Sequence, residues 1–207
     1  AYQFDTSIVA YTDDAYVRSD LISVAPEVTG PIIGVHVVDN QDVKAGDKLV
    51  SIDPEPFRLA LNQSKAAQAE AKALILTAED ELATAKAALD QSTSAHTYAQ
   101  QTQFRLDDLV RTNNAPRAQL DKANDDLRRA EAEMVISRSL IAKAQANVTA
   151  QRAALARAAA ELAIAEWRLS RTEIAAPAGG SIVNLTVRVG DTAMAQAPLV
   201  GIEGDPS

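Results

Sequence analysis

From Leu120 to Leu169 a large apolar residue returns every seven positions without a miss: Leu120, Leu127, Met134, Ile141, Val148, Leu155, Leu162 and Leu169. Three residues after most of these stands a small one: Ala123, Ala130, Ser137, Ala144, Ala158 and Ala165. Upstream, the same scheme runs through Leu61, Ile75, Leu82, Leu89 and Val110 on one seam and Ala71, Ala78, Ala85, Ser92 and Ala99 on the other, with Gln68, His96 and Gln103 interrupting the large seam. A strict seven-residue repeat keeps one stripe against a partner only if the helices supercoil left-handedly, and small residues on half the seam let the axes approach closely. Between Phe57 and Ala176 there is no glycine, and Pro116 is the one proline, so little except long helix can form there. Pro116 follows Asn113 and Asn114, which tolerate the left-handed backbone that ends a helix, while proline suits the first turn of the next. The pattern predicts two arms, 55–112 and 116–172, each of about 57 residues and ~85 Å, folded into an antiparallel coiled-coil hairpin.

The flanks follow a different period. "VTGPIIGVHVVDNQDVKAGDKLVSID" precedes the first arm and "AGGSIVNLTVRVGDTAMAQAPLVGIE" follows the second. They superimpose without a gap from Gly30 on Gly180 through Ile32 on Ile182, Val35 on Leu185, Val37 on Val187 and Leu49 on Leu199 to Ile52 on Ile202. Alternating apolar positions in each lead to a polar turn and a second short strand. Neither copy buries much surface alone, but face to face they make a small sandwich of paired sheets. The predicted fold class is therefore α+β, with the hairpin spliced between two halves of one β-domain, 21–54 and 173–207. An antiparallel coiled coil returns its ends to nearly the same place, which makes so long an insertion tolerable.

Composition narrows the chemistry. Among 207 residues, 28 are acidic and 20 basic, a net charge of −8, with no dense Lys/Arg patch, so a nucleic-acid partner is not expected. No cysteine is present, which removes disulfides, thiolate metal sites and cysteine nucleophiles. Two distant histidines and the methionines Met134 and Met194 give no metal-ligand cluster, and no cofactor is expected. His36 alternates with Val35 and Val37 and should face water, whereas His96 lies on the large seam, where a polar residue more often sets register. An enzyme is not expected: no nucleophile has a plausible histidine partner, no glycine loop cradles phosphate, and the carboxylates lie on solvated helix faces. No apolar run approaches the ~20 residues that span a bilayer, and "AYQFDTSIVAYTDD" lacks the features of a signal peptide. Any anchor or address is expected outside this stretch of chain. Trp167, off both seams near the β-domain, is expected to pack either on the base of the hairpin or on a neighbouring subunit.

The duplicated halves resemble a biotinyl/lipoyl domain, and a lipoyl domain split by a coiled-coil hairpin resembles the membrane fusion proteins, or periplasmic adaptors, of tripartite efflux and type I secretion systems. "YTDDAYVRSD" and "VKAGDKLVSIDPEPF" are similar to the HlyD/EmrA branch of that family. The resemblance implies that residues 1–20 are the strand remnant of a β-barrel domain, and that most of that barrel and a membrane anchor lie beyond this chain. It implies a hairpin tip that docks an outer-membrane channel, in a recurrent pattern of Arg, Leu four residues on and Ser seven further. Arg105 and Leu109 match, but Pro116 stands where the Ser would be; Arg111, Asn113 and Asn114 complete the candidate tip. The implied function is a non-catalytic periplasmic bridge in multidrug efflux. Its partners would be an inner-membrane transporter, favoured as the major-facilitator type, an outer-membrane channel, and further copies of itself in a ring. A type I protein secretion adaptor is the alternative. A carrier-type biotinyl or lipoyl domain fits less well, because "DPEP" occupies the place of the modified lysine and no lysine follows Lys143. A structural coiled-coil spacer explains the heptads but not the duplicated β-unit.

Overall fold

The computed structural model describes residues 20–204. The barrel strand expected in residues 1–20 lies, but for residue 20, outside the described residues, as do the last three residues of the second β-half. The described residues form two compact units, one made by residues 20–58 with 167–204, the other by Leu59–Glu166. The architecture is α+β, with two long helices and antiparallel sheets.

In the first unit, eight short strands build two four-stranded sheets. The first half contributes β1 (Leu21–Val24), β2 (Gly30–Val35), β3 (Asp42–Val43) and β4 (Lys48–Ile52), and the second β5 (Glu173–Ala175), β6 (Gly180–Val183), β7 (Thr192–Ala193) and β8 (Val200–Glu203). One sheet runs β1-β8-β6-β3 and the other β5-β4-β2-β7. The halves are therefore not stacked as one sheet each: each supplies the central pair of one sheet and both edge strands of the other. The exchange has a physical reason, since a two-strand ribbon alone leaves two unpaired edges, and each half closes the edges of its copy.

The internal repeat is visible bond by bond. Ile32 N–H donates to Asp191 O at 2.8 Å, and at the equivalent place Ile182 N–H donates to Gln41 O at 2.9 Å. Gly46 N–H donates to Ala176 O and Gln196 N–H to Pro26 O, both at 2.8 Å. The turns match as well: Asn40 (φ 64°) occupies the left-handed region where the other half has Gly190 (φ 97°), and Gln196 (φ 66°) does so opposite Gly46 (φ 92°). Ile32, Leu49, Ile52, Ile182, Leu199 and Ile202 form one shared buried core, with Val35, Leu185 and Val187 half-buried against it. Each such side chain contributes roughly 1.5–3 kcal/mol on burial, and no half owns enough of them to fold alone.

The helices are α1 (Glu55–Arg111) and α2 (Arg117–Ser170). Asp53 Oδ1 accepts the Glu55 N–H at 3.1 Å and satisfies one orphan donor where α1 starts, beside prolines that α-helices tolerate at their first turn. In the second unit, Glu79 meets Arg152 at 3.4 Å, Ser92 meets Ser137 at 2.8 Å and Gln103 meets Asn124 at 3.2 Å, the partners converging toward the turn as an antiparallel hairpin requires. Both predicted seams face inward: Ala71, Ala78, Ala123, Ser137, Val148, Ala158 and Ala165 are fully buried, and the large seam residues Ile75, Leu82, Leu127, Ile141 and Leu155 are half-buried. Pro116 stands one residue before α2 rather than inside its first turn, with its carbonyl accepting the Gln119 N–H at 3.1 Å. On the large seam, His96 Nε2 lies 3.7 Å from Glu131 Oε1.

Candidate functional site

The hairpin turn is built from the backbone outward. Asn113 adopts φ 58°, and the chain then bonds back: Asn113 N–H donates to Val110 O at 3.1 Å and Asn114 N–H to Leu109 O at 2.8 Å. These are the two bonds that close a helix whose last residue is followed by a left-handed one. Asn114 Nδ2 donates to Thr112 Oγ1 at 2.9 Å, and the Thr112 hydroxyl reaches the carbonyls of Asp108 and Leu109, both at 3.2 Å. The two asparagines are thus spent on holding the turn, one through its backbone and the other also through its side chain.

Arg105 and Leu109, one helical turn apart, share a side of α1. Arg105 is exposed, and among the described residues no carboxylate comes within ion-pair distance of it. Leu109 is half-buried, so its side chain serves the end of the coiled coil as well as the surface. Arg111 differs from Arg105: Asp107 at 3.5 Å and Asp108 at 3.8 Å hold its guanidinium along its own helix. Pro116 is exposed and offers no hydroxyl. Beside Arg105 the sequence reading missed Phe104, 71% exposed, which with Gln100, Gln101, Arg105 and Asp108 lines a shallow depression. The signal was present, since a phenylalanine off both seams has no place in the core of a two-helix coiled coil. A capped turn flanked by two exposed cations without ion pairs among the described residues, Arg105 and Arg117, and by one exposed ring can grip another protein.

Trp167 lies in the β-containing unit and is 45% exposed. Arg171 stacks over its ring at 5.6 Å from the centroid and pairs with Glu27 at 3.1 Å, so the ring's nearest cation comes from its own chain.

One expectation needs correction. Ser51 does have a histidine partner: β2 ends just before His36, and the antiparallel pairing of β2 with β4 brings His36 Nε2 to 2.8 Å from Ser51 Oγ, a contact across the sheet that linear spacing does not show. The Ser51 hydroxyl donates to Glu173 Oε2 at 2.9 Å, so the imidazole must donate its own N–H to Ser51. No imidazole lone pair then faces the hydroxyl, and the trio braces β2, β4 and β5 rather than activating a nucleophile. Among the described residues no three His, Cys, Asp or Glu side chains are grouped to hold a metal ion, and no helix is long and apolar enough to cross a membrane.

Comparison with known proteins adds an independent line. The family model described as RND MFP, barrel-sandwich hybrid domain, matches residues 20–202. The multidrug resistance protein MdtN of Escherichia coli O157:H7 is 32% identical over 198 residues, covering 91% of this chain and 58% of MdtN. The uncharacterised protein YdhJ of Escherichia coli strain K12 is 32% identical over 192 residues, covering 93% of this chain and 52% of YdhJ. The chain thus spans little more than half the length of these relatives. A solved structure of the periplasmic adaptor protein EmrA aligns over 90% of this chain and 73% of its own, with 16% identity and a TM-score of 0.40.

Proposed function

The chain belongs to the membrane fusion proteins, the periplasmic adaptor family, and from that premise we propose that it is part of a periplasmic adaptor that joins an inner-membrane transporter to an outer-membrane channel in multidrug efflux. The observation that carries the reading is the family match over residues 20–202, which takes in both β-halves and the whole hairpin. The name of the relative MdtN, a multidrug resistance protein, supplies the class of cargo. The adaptor works in the periplasm, held at the inner membrane by a segment outside this chain, and performs no catalysis. Its pump is of the major-facilitator type, a reading supported by the likeness of "VKAGDKLVSIDPEPF" to the HlyD/EmrA branch. The family description names RND adaptors, which makes an RND pump the second reading.

The hairpin tip is the channel-docking surface. Arg105 supports this because it is exposed and unpaired while Arg111 is held by Asp107 and Asp108. Self-association into a ring is supported by apolar side chains that the two-helix seam leaves outside, among them Leu74, Leu76, Val135 and Ile136. Trp167 is the proposed subunit contact in the β-containing unit. In the full-length protein, Arg105→Asp, at an exposed position without an ion pair, should sensitise cells to the exported compound without lowering adaptor abundance. Glu79→Lys is the control, since it breaks only an exposed mid-arm pair worth about 0–1 kcal/mol. Normal export by the tip variant would remove the docking assignment.

A further inference from the structure

The seam of the hairpin changes character along its length. Five of the seven fully buried helix residues, Ala71, Ala78, Val148, Ala158 and Ala165, lie in the part nearer the helix ends, and all are apolar. Toward the turn, polar pairs enter the seam between half-buried apolar residues such as Ala99, Leu127, Ala130 and Met134. Ser92 Oγ meets Ser137 Oγ at 2.8 Å and also donates to Ala88 O at 2.9 Å. His96 lies 3.7 Å from Glu131, and Gln103 Nε2 donates to Asn124 Oδ1 at 3.2 Å. Next to Gln103, the Thr102 hydroxyl is buried with no hydrogen-bond partner. Polar pairs gain little on burial because water would have bonded them equally well, and an unpaired hydroxyl is a net loss. Beyond these pairs the seam carries only apolar residues, Leu106, Val110, Leu120 and Ala123, and the bonds from Asn113 and Asn114 close the turn.

We propose that the section of the hairpin from Ser92 to Gln103, facing Asn124 to Ser137, is a compliant joint: a stretch of roughly 16 Å at the helical rise where the arms separate and repack more readily than above or below it. The weakness lies between two better-packed regions, so it is not the ordinary fraying of an end. It lets the capped tip change direction as a body while the remainder of the coiled coil stays intact. This property is independent of what the tip binds, and it holds or fails whether or not the docking reading survives.

Amide hydrogen exchange on the whole chain tests it. Amides within 92–103 and 124–137 should exchange at least about tenfold faster than those of 71–85 and 144–158, and also faster than those of 106–110 and 120–123 nearer the turn. Replacing the polar layers by apolar ones, Ser92→Ala with Ser137→Ala and Gln103→Leu with Asn124→Ala, should slow exchange in the joint by about tenfold and leave the Ala71–Ala85 region within about twofold. Protection that falls steadily from the helix ends to the turn would show simple fraying and overturn the joint. Uniform protection, or a variant that slows exchange equally everywhere, would overturn it as well.

Discussion

The β-containing unit and the hairpin spend their apolar residues in opposite ways. In the first, Leu49, Val50, Ile52, Ile182 and Ile202 are at most 1% exposed, and every one of them depends on strands that lie more than a hundred residues away in the chain. In the second, the residues that vanish from solvent are mostly alanines, while the large seam residues, Ile75, Leu82, Leu127 and Ile141 among them, stay half-exposed along a single stripe. A sandwich has a core in three dimensions; a two-helix coiled coil has only a line. Damage to the sandwich should therefore spread to both halves at once, whereas damage to the line should remain near its layer.

The largest effect that separates the two is a charge in the seam. Val148 is 1% exposed, and Val148→Asp should cost the hairpin about 4 kcal/mol through an unpaired buried carboxylate. Loss of helical signal in thermal melts, with near-native exchange in the sandwich, would confirm that the damage stays local. In the sandwich, a Cβ at Gly180 would overlap the Glu203 carbonyl and approach Ile202 Cγ2 to 2.8 Å, so Gly180→Ala should cost about 3 kcal/mol. Its equivalent, Gly30→Ala, crowds the Ile52 side chain at 2.7 Å, meets Phe57 at 3.9 Å and touches no backbone atom within 4 Å, so it should cost about 1–2 kcal/mol. Both should speed exchange in all eight strands; a loss confined to one half would contradict the shared core. Ile141→Asp, at a half-buried seam position, should cost about 1–2 kcal/mol in the same melts, clearly less than Val148→Asp.

The same contrast divides what is legible in the sequence from what is not. The hairpin was legible because its information is local: seven-residue spacing, the absence of glycine and the two asparagines before Pro116 each act within a few turns of helix. The duplication of the β-halves was legible because Ile32, Leu49 and Ile52 recur as Ile182, Leu199 and Ile202. The exchange of edge strands was not, since strand partners in a sandwich are set by edges that must be closed, and the spacing is the same for a swapped or an unswapped pairing. His36 with Ser51 escaped for the same reason, being neighbours only through a β2–β4 register. At the tip, the two asparagines and Pro116 mark the turn by their own backbone preferences, whereas the exposure of Phe104 shows only in its position off both seams.

The smallest effect tests the repeat itself. Gln196 holds a left-handed backbone that its counterpart Gly46 adopts freely, with nothing within 4 Å of a Cβ placed at Gly46. Gln196→Gly should therefore stabilise the sandwich by about 0.5–1 kcal/mol, and Gly46→Gln should destabilise it by a similar amount. Denaturant melts with equal and opposite shifts would confirm that the two turns are true equivalents; two shifts of the same sign would deny it.

The most direct test of the account as a whole is site-specific crosslinking in living cells, with a photoreactive residue placed in the full-length protein at Gln101, one turn from Arg105, or at Ala83 in mid-arm. Both positions are exposed and uncharged, so neither substitution disturbs the pairing that the structure shows. The account predicts crosslinks from position 101 to an outer-membrane channel protein and none to that channel from position 83. Channel crosslinks from position 83 with none from position 101 would contradict it.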